Sequence, residues 1–182
     1  STQAKTLFPY TTLFRSDQQL ALETHLGQKA QLKRWREKIA AQAVTGRVAL
    51  PVLQPRWLQV NPREDVVLNG GDQLLRSVKP PASVSVMGAL PTTCQNDLSV
   101  TSGISQLVAI CLKGATMPDT VWRISAQGQV QAVSVAAWNH EAVDARLGDR
   151  IWVPLSGLSD AANADIAKWL ATQSDFSSGV AP

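Results

Sequence analysis

The stretch that decides the fold is VWRISAQGQVQAVSVAAW, residues 121–138. Two β-prone runs, 121–124 and 130–138, flank the segment AQGQ at 126–129. Short strands separated by a glycine-containing turn are typical of a β-hairpin. After a polar connection comes RIWVP at 150–154, which has the composition of a further strand. We therefore predict an antiparallel hairpin followed by a closing strand.

The segment before this hairpin predicts a strand and a helix. VSVMG at 84–88 alternates in polarity as a strand does. Residues 102–113 begin with a serine, precede Gly114 and place four apolar residues at helical spacing: Ile104, Leu107, Val108 and Cys111. Strand, helix, hairpin and strand in this order are typical of a small β-grasp unit, a mixed sheet wrapped on one helix, although periodicity alone establishes only the α+β class.

Two further helices flank this unit. Residues 160–172 carry Ala162, Ile166, Trp169 and Leu170 on one face, followed by a polar tail. Residues 17–43 lack proline and predict a long helix, or a helical hairpin if Gly27 marks a turn. Its basic residues are interpreted as a solvated face: Lys29, Lys33, Arg34, Arg36 and Lys38.

The segment between residues 46 and 80 has a different residue pattern. Short β-prone runs at 48–50, 57–60, 66–68 and 73–78 are separated by prolines and by a glycine pair. They predict strands joined by tight turns. The prolines of KPPA at 79–82 favour an extended, stiff joint before the second unit.

Composition limits the class of protein. The chain has 182 residues, of which 45% are apolar and 17% charged, and this excludes a disordered, fibrous or multi-spanning protein. No apolar run approaches the roughly 20 residues that span a bilayer. The net charge of +3 is spread along the chain, so we predict no nucleic-acid partner.

The opening segment differs from the rest. TLFPYTTLFRS at 6–16 resembles the in-frame translation of a short-read sequencing adapter. We therefore expect residues 1–16 to be non-native and the true N-terminus, with any signal peptide, to be missing. Without Lys5 and Arg15, 15 basic residues face 14 acidic ones, and the net charge falls to +1.

The two cysteines, Cys94 and Cys111, match no zinc or redox motif. The sequence leaves two alternatives open for them, a disulfide in an oxidising compartment or two buried thiols. A disulfide closing a loop of this size would contribute about 3 kcal/mol.

Catalytic motifs are absent from the sequence. There is no phosphate-binding glycine loop and no nucleophile elbow. His140 and Glu141 lack the second histidine of a zinc helix, so we predict no metal and no cofactor. The one enzymatic alternative is a carbohydrate-active enzyme that uses carboxylates of a surface connection: Glu141, Asp144 and Asp149.

Several motifs together resemble the capsule biosynthesis GfcC family of periplasmic proteins. They are RISAQGQV at 123–130, VAAWN at 135–139 and LGDRIWVPL at 147–155, preceded by VLNGGDQL at 67–74 and PPASVSVMG at 80–88. The resemblance covers about residues 20–172. The sequence departs from the family's pattern in lacking the first unit's opening strands and in having Leu147 before Gly148.

The resemblance implies an α+β fold with two β-grasp (SLBB-like) units. Residues 17–45 would be the remnant of a helical hairpin, 46–80 part of the truncated first unit, 81–156 the second unit, and 157–182 an amphipathic C-terminal helix and tail. It also implies a non-catalytic periplasmic accessory of capsule or exopolysaccharide assembly or export, whose partners are the polysaccharide or export proteins. A ubiquitin-like interaction module without glycan binding is the remaining alternative.

Six residues are candidates for contact with glycan or partner: Trp122, Arg123, Trp138, Asn139, His140 and Trp169. Tryptophan faces stack on sugar C–H surfaces, whereas arginine, asparagine and histidine side chains bond hydroxyl groups. The sequence nevertheless favours a core position for Trp138 and a turn-capping role for Asn139. It also favours Trp169 docking the terminal helix on its own domain over contact with a partner or a membrane surface.

Overall fold

The computed structural model describes residues 26–42, 46, 55–65, 67, 69–71 and 81–173. The segment interpreted as non-native, residues 1–16, lies outside the described residues. So do the predicted strands at 48–50 and 73–78 and the tail beyond residue 173.

The described chain is a mixed α+β structure, as the sequence predicts. Its helices are α1 (Leu26–Ala41), α2 (Pro55–Val60), α3 (Ile104–Leu112) and α4 (Asp160–Ala171), with a 3₁₀ turn at Pro62–Glu64. Its strands are β1 (Val84–Gly88), β2 (Cys94–Asn96), β3 (Thr120–Ile124), β4 (Val130–Ser134) and β5 (Arg150–Val153). The short strand β2 is not predicted from the sequence.

The five strands form one sheet in the order β2-β1-β5-β3-β4. The central pair, β1 and β5, is parallel, with Val86 opposite Ile151, and all other neighbours are antiparallel. Helix α3 connects β2 to β3. The sheet is therefore mixed, and the strand, helix and hairpin that the sequence predicts in this segment are present.

The predicted hairpin is confirmed, and its second strand is shorter than expected. Strands β3 and β4 pair from Thr120 opposite Ser134 to Ile124 opposite Val130. Gly128 has a φ of +84° in the connecting turn, a conformation that a glycine adopts without steric cost. Strand β4 ends at Ser134, whereas the sequence extends it to residue 138.

One face of the sheet is covered by α1 and α4. Trp152 on β5 is fully buried and meets Trp35 of α1 edge to face, with ring centroids 4.7 Å apart. The indole Nε1 of Trp35 also donates a hydrogen bond to the carbonyl of Gly88 at 2.8 Å. Helix α4 adds apolar side chains to the same cluster: Ile166, Ala167, Trp169 and Leu170.

The opposite face packs against α3. Val84, Val86, Ile151 and Val153 point to this face, and Leu107 is among the α3 residues they pack with. Successive strand residues alternate between the two clusters, because side chains along a strand point to opposite faces. The sheet therefore has an apolar core on both sides.

A disulfide joins Cys94 of β2 to Cys111 of α3, with their Cα atoms 5.8 Å apart. It is one of the two alternatives that the sequence leaves open. The bond ties the edge strand β2 to the C-terminal turn of the helix that covers the sheet.

Part of the basic face predicted for α1 makes contacts with the rest of the protein. The Arg34 guanidinium donates hydrogen bonds to the carbonyls of Leu90 and Pro91. The Lys38 ammonium lies 5.0 Å from the ring centroid of Trp35, and burial, with Arg34 as a lesser cause, lowers the pKa of Lys38. Lys33 and Arg36 are exposed, as predicted.

The strand predicted at 57–60 is wrong, because these residues belong to helix α2. Pro55 begins this helix, at a position where its missing N–H leaves no bond unmade. The backbone N–H and the side-chain Nδ2 of Asn61 both bond the carbonyl of Trp57 at 3.0 Å. Of the predicted first unit, only this helix, the 3₁₀ turn and scattered residues are described.

Among the described residues, no helix is long and apolar enough to cross a bilayer.

Candidate functional site

The turn after β4 carries three of the sequence-predicted candidates, Trp138, Asn139 and His140. The chain leaves the strand at Ser134 and curls back, so that the N–H of Glu141 bonds the carbonyl of Ser134 at 3.0 Å. This turn holds Trp138 at the surface with 77% of its area exposed. The core position that the sequence favours for Trp138 is therefore wrong, because the chain bends before the strand alternation reaches it.

A groove of about 270 Å³ lies next to this turn. It is lined by residues 101–106, which lead into and begin α3, and by His140 and residues 142–144. Two residues of chain span at most about 7 Å, so the backbone of Trp138 is within that distance of His140. The turn that carries the exposed indole therefore adjoins the groove.

Hydrogen bonds hold the two walls of the groove together. The Ser102 hydroxyl donates to Oδ1 of Asp144 at 2.9 Å. The backbone N–H of Ile104 donates to the carbonyl of Val143 at 3.0 Å, and the N–H of Ala145 donates to the carbonyl of Ser102 at 2.8 Å. Ser102 and Ile104 of one wall are therefore fixed to residues 143–145 by three hydrogen bonds.

Unpaired polar atoms distinguish this region. Within the described part of the chain, two side-chain oxygens are buried without a hydrogen-bond partner, Ser105 Oγ and Asn139 Oδ1. Ser105 lines the groove, and Asn139 adjoins His140, which also lines it. Buried polar groups are nearly always paired, so each unpaired one is notable. Ser105 and Asn139 thus mark this region as one where the described structure leaves side-chain hydrogen bonds unmade.

The groove has no fixed positive charge. Its lining contains one carboxylate, Asp144, and one titratable base, His140, and it includes no lysine or arginine. The remaining polar groups are hydroxyls and the amide of Gln106, whose Oε1 accepts from the Thr101 hydroxyl. This donor and acceptor set is suited to an uncharged, hydroxyl-rich ligand.

Trp122 and Arg123 are not part of this surface. Trp122 lies on β3 opposite Trp152 and is buried in the core. The Nε of Arg123 donates to Oδ2 of Asp149 at 2.6 Å, and the Arg123 side chain is only 18% exposed. Both candidates therefore stabilise the sheet and are not presented to a ligand.

The three carboxylates of the enzymatic alternative, Glu141, Asp144 and Asp149, differ in their exposure to solvent. Asp149 is 2% exposed and also accepts a hydrogen bond from the backbone N–H of Arg146 at 2.9 Å. Its predicted place in a surface connection is wrong, because Asp149 folds inward to pair with Arg123. Glu141 and Asp144 are exposed. In the described residues, no group of three or more His, Cys, Asp or Glu side chains could hold a metal ion.

Trp169 lies on α4 and is 7% exposed, within the cluster between α4 and the sheet. The helix is thus docked on its own domain through the face that carries this residue. Its N-terminus is capped by Ser159, whose hydroxyl accepts from the N–H of Ala162 at 3.2 Å.

No sequence pattern identifies residues 101–106, which form one wall of the groove, as part of a site. Ser102 and Ser105 lie about forty residues before Asp144 and are brought to it by an isolated bridge between Gly103 and Asp144. No local pattern pairs residues so distant in sequence. The one available signal was Trp138-Asn139-His140, an aromatic and polar cluster directly after a predicted strand.

Comparison with known proteins finds one similarity in the part of the chain that carries this surface. Residues 97–174 match the sequence model described as capsule biosynthesis GfcC C-terminal. No curated protein matches the chain. The matched range includes α3, Trp138, both walls of the groove and α4. Residues 97–174 are therefore similar to the C-terminal region of the capsule biosynthesis GfcC family.

Proposed function

We propose that this protein is a non-catalytic, periplasmic accessory of capsule or exopolysaccharide assembly or export, and that it acts by binding polymer. The observation that carries the proposal is the family match over residues 97–174, because the same segment holds Trp138 and the groove. An exposed tryptophan beside a polar groove is chemically suited to sugars, which offer apolar ring faces and hydroxyl groups.

Placement in the periplasm is supported by the disulfide between Cys94 and Cys111. Such bonds persist in oxidising compartments and are rare where thiols are kept reduced. Fractionation of cells that express the full natural protein should recover it with periplasmic markers and with both cysteines resistant to thiol reagents until reductant is added. Recovery in the cytosol with two reactive thiols would contradict this placement.

We also propose that residues 81–156 form a β-grasp unit of the SLBB-like kind. The strand order β2-β1-β5-β3-β4, the parallel central pair and the single helix between β2 and β3 support this assignment. The truncated first unit at 46–80 stays a prediction. A structure of the full natural protein would reveal a second sheet of the same order if the proposal of two units is correct.

The non-catalytic role is supported by the state of the carboxylates. Asp149 is committed to Arg123, so the enzymatic alternative keeps only Glu141 and Asp144, both on the open surface. Glycosidases need one carboxyl group on each side of the scissile bond. Incubation of the pure protein with isolated capsule polymer should release no new reducing ends. Release that disappears in Glu141→Gln would favour the enzyme instead.

Deletion of the gene in the source organism tests the role itself. We expect less polysaccharide at the cell surface, with recovery when the full natural gene is returned. The matched control is deletion followed by complementation with an empty vector. Unchanged surface polysaccharide in the deletion strain would contradict the proposed function. A pull-down that retains protein partners and no polymer would favour the ubiquitin-like interaction module.

A further inference from the structure

We propose that the groove between residues 101–106 and residues 140–144 binds an uncharged sugar residue, that Trp138 stacks on it, and that Asp144 discriminates against carboxylated sugars. The inference rests on the proposed function and deepens it by naming the ligand class. It concerns a site built by two segments that are distant in sequence and joined by the bond from Ser102 to Asp144.

The size of the groove limits what can enter it. Sites for drug-sized ligands have volumes of about 300–1,000 Å³. A groove of about 270 Å³ lies just below this range, so it fits a short unit of one or two sugar rings and not a long helical or double-stranded segment. The rest of a polymer chain would continue across the open surface.

The hydrogen-bonding groups of the groove match hydroxyls. Ser105 Oγ is buried without a partner in the described structure and lines the groove. A sugar hydroxyl both donates and accepts, so it can satisfy this atom whichever way the serine proton points.

Trp138 supplies the apolar part of the contact. Its side chain is 77% exposed and is attached within two residues of His140 in the groove lining. Large aromatic side chains are the residues whose removal most often weakens an interface. A pyranose ring has an apolar face of C–H groups, and stacking on the indole would bury that face.

Charge gives the site its selectivity. Asp144 Oδ1 accepts from Ser102, and the Asp144 side chain is exposed and lines the groove. The lining holds no lysine or arginine that would compensate a ligand carboxylate. A uronic acid brought against Asp144 would meet an uncompensated like charge, which weakens binding on the order of tenfold.

The test uses the full natural protein and three tetrasaccharides, with affinities measured by calorimetry and by chemical shifts of the indole N–H groups. Maltotetraose and chitotetraose are the uncharged probes, and tetragalacturonate is the carboxylated one. We expect at least one uncharged probe to bind about tenfold or more tightly than tetragalacturonate. Tighter binding of tetragalacturonate, or no binding of either uncharged probe, would overturn the proposal.

Variants separate the parts of the site. Trp138→Ala and Ser105→Ala should each weaken the uncharged probe about fivefold or more, while Ile110→Ala, an exposed apolar change on α3 outside the groove, should leave it unaltered. Asp144→Asn keeps an oxygen to accept from Ser102 and removes the charge, so it should abolish most of the discrimination against tetragalacturonate. Unchanged discrimination in Asp144→Asn would overturn the role of Asp144.

The two proposals fail in different ways. If gene deletion removes surface polysaccharide and the variants bind all probes as the wild type does, the proposed function stands and the ligand site is wrong. If deletion leaves the surface polysaccharide intact while the groove variants lose sugar binding, the site stands and the role in capsule assembly is wrong.

Discussion

The indole Nε1 of Trp152 donates a hydrogen bond to the side-chain oxygen of Asn163 at 3.1 Å in the core. The same oxygen accepts from the backbone N–H of Leu155 at 2.9 Å, and Nδ2 of Asn163 reaches the carbonyls of Leu155, Leu158 and Ser159. The buried side-chain amide of Asn163 therefore forms hydrogen bonds with both the end of β5 and the turn that leads into α4. This fixes the terminal helix on the sheet.

Asn163→Ala should lower the free energy of unfolding by about 2–4 kcal/mol, because it leaves the indole N–H and the Leu155 N–H buried without acceptors. Urea denaturation followed by tryptophan fluorescence measures the change. Asn139→Ala is the matched control, because Oδ1 of Asn139 has no partner in the described structure, and it should cost less than about 1 kcal/mol. Equal losses in both variants would contradict the stabilising role of the Asn163 hydrogen bonds.

The buried ion pair of Arg123 and Asp149 predicts a second stability effect. Asp149→Ala leaves the guanidinium partly buried without its carboxylate and should cost about 3–5 kcal/mol. Asp165→Ala is the control, since Asp165 meets the exposed Lys168 at 3.5 Å, and exposed pairs contribute about 0–1 kcal/mol. Thermal unfolding of both variants and of the wild type measures the two losses of stability. A small effect of Asp149→Ala would mean that the pair is dispensable.

Gly88 at the end of β1 should tolerate no side chain. Its φ is +112°, and a Cβ there would overlap the carbonyl oxygen of Val153 on the neighbouring strand. Gly114 has a similar φ of +90° and open space around its Cβ position. Gly114→Ala should therefore cost about 1 kcal/mol from backbone strain alone, and Gly88→Ala at least about 2 kcal/mol more. Similar melting temperatures for the two variants would show that β1 and β5 can separate without loss.

The disulfide should contribute to stability through the loop that it closes. The two cysteines are 17 positions apart, and replacing both by alanine should lower the free energy of unfolding by about 3 kcal/mol. Urea titrations with and without reductant measure the effect. The wild type should lose the same amount in reductant, whereas the double variant should not respond to it. A response of the double variant to reductant would point to another cause.

The sequence predicts the parts of this structure that depend on local chemistry. The hairpin follows from Gly128 between two β-prone runs, and α3 and α4 follow from apolar spacing and from the residues at their ends. The mixed sheet follows from the order of these elements. For the hairpin and the two helices, the deciding signal lies within about a dozen residues of chain.

The errors and gaps have long-range causes. The bend after Ser134 moves Trp138 from a predicted core position to the surface, and the backbone bonds of residues 139–141 that produce it are not visible in polarity alternation. Asp149 turns inward because its carboxylate accepts a hydrogen bond from the Arg123 side chain of β3. The groove depends on Ser102 meeting Asp144 across 42 positions, which no local pattern encodes.

The most direct test of the account is the amount of surface polysaccharide in a strain whose chromosomal gene carries Trp138→Ala, compared with one that carries Ile110→Ala. Immunoblots confirm equal amounts of both variants in the periplasm. We predict a marked loss of surface polysaccharide for Trp138→Ala and the wild-type amount for Ile110→Ala, because Trp138 is part of the proposed sugar-binding surface and Ile110 is not. Wild-type polysaccharide in both strains would contradict the claim that this protein acts through that surface.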